Sequence, residues 1–293
     1  MSSPARQSGQ LLSPALMARL ESLQLSSKHR LMGRFGGEHK SKRYGNTVDF
    51  ADFREYHPGD DFRRIDYHVM ARLDQVLIKL FEADDEITVR LLIDTSASMN
   101  IGAKMLQAKR LAAAMGFVAL TAHDSVSVHT FPARGPAPRF AGRAAVPAFL
   151  AYVQDLEATG LTPFAEAAGH LLSQSSLPGL TIVLSDLLTT EWASLIRLRA
   201  SGSDVTIVHI LADEDLDPEF SGDLELVDRE DGERLTVSVT EEVANSYRNR
   251  IRAWRNEVAA TARSAGAAFQ AVNSTDDIEA LLLQTWRSAG VLR

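Results

Sequence analysis

The chain has 293 residues, of which 45% are hydrophobic and 24% are charged, as in an ordinary globular protein. Its formal net charge of −7 argues against the protein as a whole being a nucleic-acid binder. The absence of cysteine excludes cysteine nucleophiles, thiolate zinc sites and iron–sulfur clusters. The first ten residues lack the apolar core of a signal peptide, and no apolar run approaches the roughly 20 residues that span a bilayer. We therefore expect a cytoplasmic protein without membrane insertion.

The first part of the chain, residues 1–85, predicts an N-terminal accessory segment. A short helix is expected after Ser13, a suitable N-cap, with Pro14 at its first position. The basic stretch from Lys28 to Arg43 has no clear period and predicts a loop, with a docking or anion-binding surface as the alternative.

Acids and arginines are dense between Phe50 and Arg72, around the turn signal Pro58-Gly59-Asp60-Asp61. Their mixture predicts a structural ion-pair network. Two apolar strand patterns then flank an acidic turn at 82–86 and predict a hairpin of strands 76–81 and 87–93.

The second part, residues 86–293, alternates between strand and helix patterns. Strands are predicted over 87–93, 125–131, 180–184, 205–211 and 267–272, and helices over 104–122, 146–155, 163–174, 191–200, 241–265 and 276–288. Residues 219–239 predict an edge hairpin around Asp231-Gly232. Alternation of this kind predicts an α/β fold with a doubly wound, mostly parallel sheet.

Oxygen-bearing side chains fall where the predicted strands end. Asp94, Ser96 and Ser98 directly follow one apolar strand, Asp186 ends another, and Thr162 begins a later helix. In such sheets the functional crevice lies outside the carboxyl ends of the strands, so these five groups should gather there. Mg²⁺ prefers hard oxygen ligands and keeps some water, which leaves a position open to a partner's carboxylate. The pattern predicts a site for Mg²⁺, with Mn²⁺ or Ca²⁺ possible, and the alternative is a helix-capping loop without metal.

The same five residues, Asp94, Ser96, Ser98, Thr162 and Asp186, resemble the metal-ion-dependent adhesion site of von Willebrand A domains. Upstream, Phe53-Arg54-Glu55-Tyr56, Pro58-Gly59-Asp60-Asp61 and Arg64-Ile65-Asp66-Tyr67 resemble the signature of domain-of-unknown-function family 58. That family comprises bacterial von Willebrand A-like proteins associated with MoxR-type AAA+ ATPases. The resemblance implies a von Willebrand A, Rossmann-like fold and a non-catalytic adaptor. Its implied partners are such an ATPase and a protein client, in chaperone-like maturation of protein complexes.

Two other functions fit parts of the sequence less well. A strand ending in Asp94 superficially resembles Mg²⁺-dependent phosphatases that form an aspartyl-phosphate, but Ser96 stands where these carry a second Asp. No lysine in an equivalent setting is evident from the sequence. Binding of nucleic acid through residues 28–43 is disfavoured because aromatic side chains are not interleaved there. His209, inside a predicted strand, is interpreted as a core residue with satisfied hydrogen bonds.

Overall fold

The computed structural model describes residues 10–27, 49–57, 62, 65–73, 75–82, 87–133, 135–161, 164–174, 179–218, 222–227 and 232–292. The chain divides into two compact units, one formed by Met1–Ser27 with Ile87–Arg293 and the other by Lys28–Glu86. Within the described ranges, no helix combines the length and the apolar character needed to cross a membrane. The basic stretch 28–43, the turn 58–61 and Thr162 lie outside the described residues.

The helices are α1 (Pro14–Leu20), α2 (Tyr67–Leu73), α3 (Lys104–Thr121), α4 (Val146–Gln154), α5 (Phe164–Gln174), α6 (Asp213–Leu216), α7 (Glu241–Ser264) and α8 (Ile278–Ala280). The strands are β1 (Asp49–Glu55), β2 (Leu77–Glu82), β3 (Thr88–Asp94), β4 (Ser125–Phe131), β5 (Arg139–Ala141), β6 (Gly179–Ser185), β7 (Asp204–Leu211), β8 (Gly222–Val227), β9 (Arg234–Val239) and β10 (Ala268–Asn273). Thr190–Ser201 forms a 3₁₀ helix where an α-helix was predicted, and Leu281–Trp286 continues α8 as a π-helix.

A six-stranded, mostly parallel sheet forms the centre of the larger unit, with the order β10-β7-β6-β3-β4-β5. Only its edge strand β5 runs antiparallel to its neighbour β4. The chain builds outward from β3 through β4 to β5, then returns to place β6 on the other side of β3. The direction of winding therefore reverses between β3 and β6. This mixed α/β architecture agrees with the predicted doubly wound sheet.

Helices cover both faces of this sheet, as the side chains of β3 show. Leu91 and Ile93 join a core cluster that includes α1, α3 and α4, whereas Leu92 points into a second cluster with α5 and α7. Successive side chains of a strand point to opposite faces, so a strand that is buried on both faces needs a nearly continuous apolar run. The sequence of β3 supplies that run, which explains its central position.

The predicted hairpin of residues 76–81 and 87–93 is wrong. Strand β2 pairs antiparallel with β1 in a separate two-stranded sheet, while β3 lies between β4 and β6. The strand patterns themselves were correct, but β3 is buried on both faces and takes its two neighbours from the larger sheet. The later hairpin is confirmed, since β8 and β9 pair antiparallel, although they form their own two-stranded sheet and not an edge of the central one.

The N-terminal helix α1 belongs to the larger unit, whereas the sequence pattern grouped it with the accessory segment. Ser13 caps it as expected by accepting a hydrogen bond from the backbone of Leu16, and Leu16 and Leu20 are buried. Leu25 then forms an isolated β-bridge with Leu292, near the end of the chain. Apolar burial therefore fixes this segment to the larger unit.

The smaller unit contains β1, β2 and α2. Asp66, part of the signature block, caps α2 because its Oδ1 accepts hydrogen bonds from the backbone amides of His68 and Val69. The backbone amide of Asp66 also donates to the carbonyl of Leu77, which ties the start of α2 to β2. This carboxylate has a structural role.

Helix α7 agrees with its predicted bounds to within one residue, and Thr240 caps it by accepting a hydrogen bond from the amide of Val243. In the sequence, one face of this helix is apolar and predicts core packing along its length, with Val243, Tyr247, Ile251, Trp254, Val258 and Ala262. That face is only partly buried. Val258 and Ala262 are in the core, whereas Val243 and Tyr247 in the first two turns are exposed. The N-terminal half of the helix therefore extends past the core beneath it.

Gly116 of α3 offers a test of core packing, because a methyl group there would lie 2.0 Å from a ring carbon of the buried Phe149 on α4. We expect Gly116→Ala to destabilise the protein by about 1–3 kcal/mol through overpacking. Gly169→Ala in α5 is the matched control, since no atom lies within 4 Å of the added methyl group. It should stabilise the protein by about 0.5–1 kcal/mol through helix propensity. Urea unfolding followed by circular dichroism measures both, and equal stability of the two variants would refute this packing.

Candidate metal-binding site

The carboxyl ends of β3 and β6 meet at the point where the winding of the sheet reverses. Asp94 is the last residue of β3, and Asp186 directly follows β6. Connections leave these two neighbouring strands toward opposite faces, which opens a crevice between them. The structure thus brings both predicted carboxylates to the place in the fold where a ligand site is expected.

The loop after β3 is organised by the carboxylate of Asp94, which is fully buried. Its Oδ1 accepts a hydrogen bond from the backbone amide of Ser96 at 2.9 Å, and its Oδ2 accepts one from the hydroxyl of Ser185 at 2.6 Å. The hydroxyl oxygens of Ser96 and Ser98 are 3.0 Å apart. Two hydroxyls and one carboxylate from five consecutive residues therefore converge, as the spacing predicted.

A second segment is fixed along this loop by three hydrogen bonds. The amide of Thr159 donates to the carbonyl of Thr95 at 2.6 Å, and the amide of Ala97 donates to the carbonyl of Gly160 at 2.9 Å. The side-chain amide of Asn100 donates to the carbonyl of Ala158 at 2.8 Å. The described chain therefore runs beside the loop up to Leu161, one residue before the predicted ligand Thr162.

The turn that carries Asp186 is held by its own side chains. The hydroxyl of Ser185 accepts a hydrogen bond from the amide of Leu187, and Oδ1 of Asp186 accepts one from the amide of Leu188. Leu187 is buried with a φ of +54°, a left-handed conformation that is uncommon for a residue other than glycine. Strain of this kind concentrates at functional sites, where the surrounding structure enforces it.

The sequence did not reveal the cation at this edge, which is the ammonium group of Lys104. Its side chain is 0% exposed, and its Nζ lies 2.7 Å from Oδ2 of Asp186 and 3.0 Å from Oδ2 of Asp215. Asp215 also accepts a hydrogen bond from the amide of Ala212 and so caps α6. One buried ion-pair network therefore joins α3, the end of β6 and the end of β7.

Gly102 makes this position of Lys104 possible. It has a φ of +56°, and a Cβ atom there would lie 2.7 Å from Cβ of Ala212. Glycine adopts this conformation without steric cost and lets the chain pass close to α6 before α3 begins. A sequence signal for this network existed, because Asp215 closely follows the end of an apolar strand, as Asp94 and Asp186 do.

Acidic groups outnumber the basic group in the cluster formed by Asp94, Asp186, Asp215 and Lys104. When the three carboxylates of Asp94, Asp186 and Asp215 are all ionised, they exceed the ammonium group of Lys104 by two negative charges. Burial and the nearby charge of Asp186 raise the pKa of Asp94 to about 7, although hydrogen bonds from Ser185 and Ser96 oppose the shift. Burial likewise raises the pKa of Asp215, with Lys104 opposing it. Asp94 therefore lacks a compensating positive charge.

The donor set fits a hard divalent cation. Carboxylate and hydroxyl oxygens are the ligands that Mg²⁺ takes in proteins, and a charge of two would balance the cluster. Within the described ranges, no three Asp, Glu or His side chains are grouped as metal ligands. The predicted site would not form a group of that kind, because it combines two carboxylates with hydroxyl groups.

His209 supports the turn at Asp186 from the adjacent strand β7. Its Nε2 is 2.9 Å from the backbone carbonyl of Asp186, and its ring packs edge-on against Trp254 of α7. Burial lowers the pKa of His209 to about 4, so the ring is neutral and donates from Nε2. The interpretation as a core residue is confirmed, but Nδ1 has no hydrogen-bond partner among the described residues.

Fold and site together define a mixed α/β protein with a cluster of carboxylates and hydroxyls at the carboxyl edge of its sheet. The family described as "Protein of unknown function DUF58" matches residues 52–257, and the chain belongs to this family. The resemblance of the signature block to family 58 is thereby confirmed.

Relatives in mycobacteria resemble the chain over nearly its whole length. Uncharacterized protein Mb1516 of Mycobacterium bovis and uncharacterized protein Rv1480 of Mycobacterium tuberculosis are each 28% identical to it over 284 residues, covering 94% of this chain and 90% of theirs. Among solved structures, an aerotolerance-related membrane protein from Bacteroides fragilis has 14% identity and a TM-score of 0.42, covering 70% of this chain and 98% of its own. The conserved hypothetical protein BatB from Bacteroides thetaiotaomicron has 14% identity and a TM-score of 0.40, covering 69% and 98%.

Replacing the buried ammonium tests the network. We expect Lys104→Met to destabilise the protein by about 3–5 kcal/mol, because it leaves the carboxylates of Asp186 and Asp215 buried without a cation. Lys109→Met on the same helix is the control, since the ammonium group of Lys109 donates a hydrogen bond to the carbonyl of Gln154 at the exposed surface. Chemical unfolding compares the two, and similar losses in both variants would show that Lys104 does not hold the site together.

Proposed function

We propose that the protein is a metal-dependent protein-binding module of the von Willebrand A type. Asp94, Ser96, Ser98, Thr162 and Asp186 would hold Mg²⁺, with Mn²⁺ or Ca²⁺ as alternatives, and a partner's carboxylate would complete the coordination. The observation that supports this most directly is the convergence of Asp94, the paired hydroxyls of Ser96 and Ser98, and Asp186 at the reversal point of the sheet.

The burial and hydrogen bonds of the Asp94 carboxylate favour a metal-binding role over a role as a catalytic nucleophile. Both of its carboxylate oxygens accept hydrogen bonds, and the side chain is fully buried, so it is poorly placed to attack a substrate. Neutral hydroxyls donate little charge to a bound cation. A cation held largely by hydroxyls remains electrophilic and can accept an anionic ligand from outside.

The proposed partners are a MoxR-type AAA+ ATPase and a protein client, with the chain acting as a cytoplasmic adaptor in chaperone-like maturation of protein complexes. Support comes from membership of the DUF58 family and from the resemblance noted in the sequence. The chain has no Gly-x-x-x-x-Gly-Lys-Ser/Thr loop, so the ATPase would supply the energy.

A Mg²⁺-dependent phosphatase-like hydrolase is the second candidate, and Lys104 is the observation that favours it. A lysine near the two strand-end carboxylates was not evident from the sequence, yet its Nζ is 2.7 Å from Asp186. Both carboxylate partners already engage this ammonium group, however, and Asp94 is buried. Turnover of an aryl phosphate with Mg²⁺ by the wild type, lost in Asp94→Asn, would establish hydrolysis in place of the adaptor role.

A pull-down with the cognate MoxR-type ATPase tests the adaptor role, in Mg²⁺ and in chelator. Asp94→Asn should reduce retention about tenfold or more in Mg²⁺, as chelator should for the wild type, because both remove the metal. The substitution keeps the shape of the side chain, and circular dichroism checks the fold.

Asp124→Asn is the matched control, because Asp124 is equally buried but lies at the start of β4, on the opposite edge of the sheet. It should bind like the wild type. Equal retention of wild-type protein with Mg²⁺ and with chelator would rule out metal-dependent binding.

A further inference from the structure

A narrow groove lies along the middle of α7. It is lined by Leu216, Asp217, Arg248, Ile251, Arg252 and Arg255. The arginines lie three to four residues apart, so they share one side of the helix. Ile251 and Leu216 are half-buried and supply an apolar floor.

The groove is positively charged in a chain whose formal net charge is −7. Its one carboxylate, Asp217, accepts a hydrogen bond from Nε of Arg248 at 2.6 Å. No carboxylate in the described part of the chain lies within ion-pair distance of Arg252 or Arg255. Two guanidinium groups are therefore available to an outside ligand.

The size of the groove limits what it can hold. Its volume is about 180 Å³, whereas pockets for drug-sized ligands and cofactors enclose roughly 300–1,000 Å³. A side chain fits better than a small-molecule cofactor. Guanidinium groups pair with carboxylates through two parallel hydrogen bonds, which makes an acidic side chain the best-matched ligand.

Helix α7, which carries the groove arginines, is tied to the ion-pair network at the candidate metal site. Asp217 follows Asp215 by two residues, and Asp215 contacts Lys104, which contacts Asp186. The hydroxyl of Tyr247 on α7 donates to the backbone carbonyl of Asp215 at 2.8 Å, which ties the helix to the same network. Helix α7 and Asp186 therefore belong to one connected network.

We infer that this groove binds a second acidic side chain from the same partner segment whose first carboxylate ligates the metal. The partner is then an acidic peptide segment recognised at two points, by a cation at Asp94 and by Arg252 and Arg255. This inference rests on the proposed function, because it takes one segment to occupy both places.

A fluorescein-labelled deca-glutamate peptide is the probe, with anisotropy measured on the full chain in Mg²⁺ and in chelator. We expect Arg252→Glu/Arg255→Glu to weaken binding about tenfold or more in Mg²⁺, and Arg252→Gln/Arg255→Gln to weaken it by a smaller factor. The control is Arg250→Glu/Arg287→Glu, which changes the charge equally at exposed positions that do not line the groove. This control variant should weaken peptide binding by less than about threefold, since exposed charges outside a contact contribute little to affinity.

The outcomes separate the two ideas. Equal losses in the groove and control variants would show general charge attraction and overturn the groove. Loss of binding in chelator with unchanged binding by the groove variant would also overturn it, while leaving the metal site standing. Loss in the groove variant with no effect of chelator would instead refute two-point recognition and the metal-dependent function.

Discussion

The ion pairs of Lys104 with Asp186 and Asp215 connect α3, the end of β6 and the start of α6 at the carboxyl edge of the sheet. They bring the first residue of α3 between the ends of β6 and β7, and Gly102 provides the close approach that this requires. A buried ammonium group with two carboxylates is tolerable because every member contacts a group of opposite charge, whereas any one of them alone would be costly. Asp94 remains beside this network without a cation of its own, which makes the edge suited to a further positive charge.

Much of the fold follows from the sequence because apolar runs and helix caps are local features. Ser13 caps α1 as expected, Thr has the right chemistry to cap α7 at position 240, and the apolar run Leu91-Leu92-Ile93 of β3 marks a central strand. Strand pairing is not local. The patterns of β2 and β3 favoured a hairpin, but burial of β3 on both faces gave it other neighbours.

In the candidate site, too, the residues marked by local sequence features could be predicted, and those placed by tertiary contacts could not. Asp94, Ser96, Ser98 and Asp186 could be found because each is attached to a recognisable strand end. Lys104 could not, since its position at the start of an Ala-rich helix also suits an exposed lysine, and only the tertiary approach at Gly102 buries it. The arginine groove was missed for a related reason. The apolar face of α7 predicted core packing along the whole helix, whereas Val243 and Tyr247 lie beyond the core and remain exposed.

Direct location of the ion tests the central claim, that Asp94, Ser96, Ser98 and Asp186 gather to hold a divalent cation. Crystals of the full chain grown with Mn²⁺ would give an anomalous difference map that identifies the cation by its scattering. A single strong peak within bonding distance of the oxygens of Asp94, Ser96 and Ser98 is the predicted result. A map with no peak there at millimolar Mn²⁺, or with the ion bound only elsewhere, would contradict it.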